Sequence, residues 1–392
     1  ASSRHGEHGP GQNRPKTVAR VRINRPTRPS TAYMHRIHTC ASMRRCAVLL
    51  LATTTALNPL QRWQYEQTQK TPVRYSGARD LASLSPVFWR WVADADQPSA
   101  LACPELEPTR ARRLAEAAKD LCGVDVACDA VAGVSTLTVA DRPPGRRFDA
   151  PSETDTSGDA ARAAGAAAAR RKTEAFVERV LVQMRQCPFT GSKSRAAVGL
   201  EEFGVDAAPI LYGYSAAGDV AGLLADVWAV LDGFRRAGPD GYSSILIACP
   251  AFDGDFEKWT REIFPALEAT LLAADASREL GIVCFHPDYA TPDPKWLATH
   301  RFGHMYAPPT LRRWLEDADA DLAGALDDDD LQYLGSYMRR TPVATINVLW
   351  SAQLEAAERK RESKALYARN LRRLHGEGRD ALEEAARRER RG

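Results

Sequence analysis

From Thr173 onward the hydrophobic pattern switches repeatedly between two periods. Phe176, Val177, Val180, Leu181 and Met184 recur at three-to-four spacing, a helical stripe that stops at Pro188. A short apolar run over 207–213, through Pro209, Ile210, Leu211 and Tyr212, predicts a strand. Helical spacing returns over about 216–236 with Val220, Leu223, Leu224, Val227, Val230 and Leu231. Ser243–Cys249 is an unbroken apolar run of strand length ended by Pro250, a helix is predicted from about Asp255 to Ala274, and Gly281–His286 is the next strand, ended by Pro287. Strands without polar alternation are buried on both faces. The order strand, helix, strand, helix, strand therefore predicts an α/β fold on a small open, mostly parallel sheet with covering helices. Residues 294–338 read as short helices joined by acidic loops. Residues 345–390 read as a helical C-terminal region, with Ile346, Val348, Leu349 and Leu354 turned inward and a charged helical tail from 377 to 392.

Upstream the pattern weakens. Leu84, Val87, Phe88, Trp91 and Val92 suit one helix face, and Leu114, Ala115, Ala118 and Leu121 a second over 111–122. Residues 76–150 thus read as a helical lead-in packed on the main domain, because their apolar content is thin for independence. Pro143, Pro144 and Gly145 break the chain, and 151–172, rich in Ser, Asp and Gly and then in Ala and Arg, reads as a linker, with a solvated helix extension as the alternative at its end. Residues 1–75 are of another kind. Glu7 is the only acid among the first 65 residues, which abound in Arg, Ser, Thr and Pro. Such a segment cannot bury enough apolar surface to repay its ordering entropy, and its composition is that of an organellar transit peptide. Within it, Met43, Arg44 and Arg45 precede the apolar run Cys46–Leu57, a signal-like core over 43–57 that is too short to span a bilayer. A signal-plus-transit leader points to a plastid, with the mitochondrion as second destination, and no membrane-spanning helix is predicted downstream.

Composition adds limits. The chain carries a net charge of +3, which argues against a nucleic-acid binder working through a broad basic field. The spacings of the eight cysteines fit neither a zinc site nor a compact disulfide framework. Free thiols are the simplest reading, with a Cys122–Cys128 bridge left open. Glycine-rich phosphate loops, nucleophile elbows and cysteine quartets are absent, which counts against kinases, common hydrolases and zinc fingers.

In open parallel sheets ligands bind where the strands end, and three loops leave those ends here. They carry Tyr214 and Ser215, Cys249 and Asp253, and His286, Asp288 and Tyr289. His286, oriented by Asp288, is the candidate general base or metal ligand. The plainer alternative is a ring that caps its strand and satisfies a backbone group. Cys187 is a candidate nucleophile, although a preceding helix C-terminus opposes thiolate formation. His300 and His304 stand one helical turn apart and, with His286, could form a three-histidine metal site; Gly303 and Arg301 count against it. Arg339, Arg340 and Thr341 before Pro342 suit an anion, as guanidinium forks do, or else a surface salt bridge. Arg301, Tyr289 and Asn347 complete the candidate ligand-binding set. Asp327–Asp330 reads as the acidic start of a helix.

Taken together, Cys187-Pro188-Phe189, the strand leading to Pro250, Phe285-His286-Pro287-Asp288-Tyr289, Arg340-Thr341-Pro342 opening a helix, and Tyr367-Ala368-Arg369-Asn370 resemble the marks of the domain of unknown function 1415 family. The resemblance covers about 173–376, with an insert over 291–338 similar to that of longer plastid members. Asn347 stands where shorter members often have His. The resemblance implies the fold, the boundaries and the site, and implies no reaction or cofactor.

Three functional readings follow. One is an organellar enzyme or binder for a small anionic molecule, centred on His286 with Cys187 and Arg340 nearby. Another is a non-catalytic assembly or interaction protein. The last is a metal-dependent hydrolase using His286, His300 and His304. Protein partners are not legible.

Overall fold

The computed structural model describes residues 73–94, 100–131, 134–141, 156–291, 305–360 and 363–392. The signal-like core over 43–57 and the positions His300, Arg301 and His304 lie outside the described residues. Among those residues no helix is long and apolar enough to cross a membrane.

The lead-in contains a sheet that the periodicity did not announce. Its helices are α1 (Leu81–Ala93), capped by Asp80 accepting from the Ser83 N–H at 2.7 Å, and α2 (Pro108–Cys122), which ends at Gly123 in the left-handed region with φ 67°. Between and after them run β1 (Val73–Tyr75), β2 (Ala100–Cys103), β3 (Asp125–Val131) and β4 (Val134–Asp141), ordered β1-β2-β4-β3. Only β1 and β2 pair in parallel. β2 is short and built of Ala, Leu and Cys, residues with little strand preference, so the signal was faint. This unit is not separate: Phe88, Trp91 and Leu114 share one hydrophobic core with Trp228, Phe264 and Ile346.

The second sheet comprises β5 (Thr190–Ser192), β6 (Arg195–Ala196), β7 (Ala208–Tyr214), β8 (Ser244–Ala248), β9 (Leu280–Phe285) and β10 (Thr345–Trp350). Its order is β5-β6-β7-β8-β10-β9. The expectation of a mostly parallel sheet is corrected to a mixed one. β7 and β8 are parallel, but β10 runs antiparallel between β8 and β9, and β6 and β5 add antiparallel pairs at the edge. The segment after Pro342, expected to open a helix, is therefore a central strand. Ile346, Val348 and Leu349 satisfy either period over so short a run. The choice falls to strand because two open edges, β8 and β9, accept its backbone groups, and because Thr345, Ile346 and Val348 are β-branched. The helical C-terminal region begins only at Ser351.

Helices cover both faces. α4 (Val220–Gly241), capped by Asp219, and α5 (Phe264–Ala273) lie in the core formed with Ile245, Ile247, Ile282 and Ile346. On the opposite face Ile210, Leu246, Val283 and Phe285 meet Phe176, Val177 and Val180, together with the C-terminal helices. Those are α6 (Pro308–Glu316), α7 (Ala320–Ala325), α8 (Asp328–Tyr337), α9 (Ser351–Arg359), α10 (Ser363–Glu377) and α11 (Arg379–Arg391). We designate as α3′ the helix Thr156–Phe176, which continues as a seven-residue π-helical stretch, Val177–Gln183. The segment expected as a linker is thus largely helix, and its small residues have a use. Ala169 packs with Tyr214, Ala248 and Val343, and a Cβ at Gly165 would stand 2.7 Å from the Tyr214 hydroxyl. The helix consequently seats against the carboxyl ends of β7 and β8.

Cys103, Cys122, Cys128, Cys187, Cys249 and Cys284 are free thiols, so the Cys122–Cys128 bridge is not formed. One buried carboxyl yields a pH prediction. Burial alone pushes Glu268 of α5 up to about 7. A folded-state pKa above the unfolded one means stability is full at low pH and falls as pH rises from about 4.5 towards 7. Glu268→Gln should therefore melt above the parent protein at pH 8, with the difference vanishing near pH 4. Differential scanning calorimetry across that range checks this; an equal offset at both pH values would refute it.

Candidate functional site

The loops at the strand ends are closed on themselves. His286 is fully buried. Its Nδ1 accepts from the Asp288 backbone N–H at 3.0 Å, which leaves Nε2–H to donate to the Phe252 carbonyl at 2.9 Å. Its ring also lies 5.1 Å from that of Phe256 and 6.1 Å from that of Trp259. Burial holds its pKa below the ordinary 6.5, against the smaller opposing effects of the Phe252 carbonyl and the Asp288 charge. The ring is thus neutral, with both nitrogens committed to backbone. In this arrangement the imidazole ties the loop after β9 to the loop after β8.

Its neighbours are likewise engaged. The Asp288 carboxylate accepts from Arg390 of α11 at 3.1 Å and does not orient the imidazole; only its backbone N–H does. Tyr289 is fully buried, and its hydroxyl accepts from the Met305 N–H at 3.0 Å. Arg340 donates to the Tyr289 carbonyl at 3.0 Å and to Glu383 at 3.2 Å, with its guanidinium 4.6 Å above the Tyr333 ring. It knits the turn before Pro342 to α11 and the loop after β9 and is spent as an anion ligand. Asp253 accepts from the Ala344 N–H at 2.6 Å, and burial raises its pKa. Among the described residues no group of three or more His, Cys, Asp or Glu could hold a metal ion.

Two of the expected residues do come together, on the face of the sheet. Cys187 and Asn347 line a cavity of about 220 Å³. Its floor is the sheet, through Ile210, Leu246, Val283, Phe285 and Leu349; its walls are Val177 and Leu181 of the π-helical stretch, Phe189, Leu200, and Gln353 and Leu354 of α9. Asn347 sits on β10 directly between Leu246 of β8 and Val283 of β9, so its amide rises from the middle of an apolar floor. Its Oδ1 is buried and has no hydrogen-bond partner. Gln353 is 7% exposed, and among the described residues no hydrogen bond reaches its side-chain amide. Arg339 supplies a cation to the wall; it donates to the Cys284 carbonyl at 3.3 Å and stacks 5.0 Å over Phe285.

The motifs are also joined to one another. Asn370 donates to the Gln186 carbonyl at 2.7 Å, so the Tyr-x-Arg-Asn segment of α10 fixes the turn that presents Cys187. Sequence reasoning missed Gln353 and chose Arg340 over its neighbour Arg339. The available signals were an Asn inside a run otherwise fit for two-sided burial and a Gln on the apolar stripe of α9.

The fold and this cavity define an α/β protein whose one paired set of expected residues lies on a sheet face covered by helices. Residues 168–300 match the model of a family described as a protein of unknown function, DUF1415, so over this third of the chain the sequence is similar to that family. The match takes in Cys187, β7, β8 and the loop carrying His286; Asn347 and Gln353 lie beyond it. No curated protein matches the chain, and no solved structure does.

Proposed function

We propose that the protein binds a small molecule, apolar over most of its body and bearing a carboxylate or similar anionic group, in the cavity on the sheet face. The observation that carries this reading is the buried, unpartnered Oδ1 of Asn347, which shares one largely apolar chamber with the amide of Gln353. Leaving a buried amide unsatisfied costs about 1–3 kcal/mol, a cost that a ligand bearing donors and acceptors removes. Arg339 favours a negative group near Phe285, and the chamber exceeds the roughly 150 Å³ that accommodates benzene. The site thus moves from the strand ends, around His286, to the sheet face. No step of catalysis is assigned. The interaction-protein reading has less support: the exposed large hydrophobic residues among those described are Val87, Leu272 and Tyr306, which belong to separate helices and loops and form no broad apolar face.

The test is titration calorimetry with hexanoate, octanoate and 3-phenylpropanoate against the matching alcohols. Saturable binding of a carboxylate, preferred over its alcohol and weakened about tenfold by Gln353→Leu, is expected, corresponding to loss of about 1.4 kcal/mol. Absence of saturable binding across both series would sink the reading.

A further inference from the structure

Of the six described cysteines, five are buried and one, Cys187, is partly open. Burial raises the pKa of Cys103, Cys128, Cys249 and Cys284, which keeps those thiols protonated and poorly reactive. Cys187 instead lines the cavity that holds Gln353, a residue 7% exposed whose amide no hydrogen bond reaches among the described residues, and the buried, unpartnered amide oxygen of Asn347. A group attached to its sulfur would be led into a space already supplied with amide donors and acceptors and a guanidinium. Resting on the cavity reading above, we infer that Cys187 is a modification site: it forms a mixed disulfide with a low-molecular-weight thiol that carries amide or carboxylate groups.

The chemistry is thiol–disulfide exchange. The Cys187 thiolate attacks one sulfur of a small disulfide RS–SR, forming Cys187–S–SR and expelling RS⁻, which takes up the proton lost by Cys187. Cys187 is oxidised, one half of the small disulfide is reduced, and no further oxidant is needed. The attached R group then occupies the chamber, with its polar atoms against Asn347 and Gln353 and its carboxylate on the Arg339 side. Modification and reversible occupancy become mutually exclusive, so the thiol state would control access to the pocket. The turn that carries Cys187 is fixed by Asn370 on one side and shaped by Arg185, whose φ is +51°, on the other.

The test treats the full chain with cystine or with hydroxyethyl disulfide, an uncharged reagent, and follows adducts by intact-mass spectrometry and peptide mapping. One adduct per chain on Cys187 is expected, absent in Cys187→Ser. Cystine should react about tenfold faster than hydroxyethyl disulfide, and Gln353→Leu and Arg339→Leu should erase that preference. Adducts elsewhere, or equal rates unchanged by the two substitutions, would overturn the inference. Carboxylate binding to the Cys187→Ser protein, measured in parallel by calorimetry, separates the two claims. If that protein binds carboxylates while the parent chain forms no selective adduct, the modification site fails and the cavity reading stands. If neither is seen, both fail.

Discussion

Asn347→Leu is expected to stabilise the ligand-free protein and to abolish its binding of carboxylates. On β10 the residue is flanked by Leu246 and Val283, and its amide oxygen has no partner. A leucine would remove a buried polar group left unsatisfied, worth about 1–3 kcal/mol, and would extend an apolar floor into a chamber with room for it. For a domain of this size that is a rise of several degrees in Tm, at roughly 2–4 °C per kcal/mol. Most substitutions at buried positions destabilise, so a gain here would mark the amide as retained for function. Thermal unfolding of both proteins, with and without octanoate, is the measurement. A lower Tm for Asn347→Leu would mean that the amide is paired in solution, and the argument for the pocket would lose its main support.

His286→Phe should do the reverse, destabilising the fold strongly while leaving the cavity's chemistry intact. The imidazole satisfies the Phe252 carbonyl and the Asp288 N–H, both inside the protein. A phenyl ring fills similar space and satisfies neither. At about 1–3 kcal/mol for each of the two stranded groups, the loss should total about 2–6 kcal/mol by urea denaturation at pH 7. A loss below about 1 kcal/mol, coupled with loss of ligand binding, would return His286 to the functional site. Its titration supplies a second readout. Because burial lowers the folded-state pKa below 6.5, protons bind the unfolded chain more readily, so this contribution is intact at neutral pH and fades as pH falls below about 6.5. The Phe variant should lack that acid-linked loss, which a buried general base and a structural ring would share; only ligand affinity tells them apart.

Much of the framework could be read along the chain because it is local. The strands at 207–213, 243–249 and 281–286 and the helices between them are announced by runs and stripes of apolar residues. The helix starts at Asp219 and Asp327 follow from side chains that accept backbone N–H groups three residues on. Cys187 and Asn347 are both candidates on sequence grounds, and both line the cavity. Other positions misled for a shared reason. His286 next to Asp288 suggests a catalytic pair, but which groups an imidazole meets is decided by Phe252, 34 residues away. Arg339 and Arg340 are adjacent and chemically alike; the turn after α8 sends one towards the cavity and the other towards Glu383.

What the sequence determined alone was therefore the periodic part: an α/β chain, most of its helices, the strands of unbroken apolar character, and a resemblance to a family whose marks include Cys-Pro-Phe and Phe-His-Pro. Tertiary structure decided the strand order, the insertion of β10 between β8 and β9, and the place of the site. Strand partners are chosen by open hydrogen-bonding edges that become available only when distant segments meet, and no local period records that choice. The cavity has the same origin. Its floor comes from four strands and its walls from helices before and after them, so Cys187, Asn347 and Gln353 share one chamber only once the sheet is assembled.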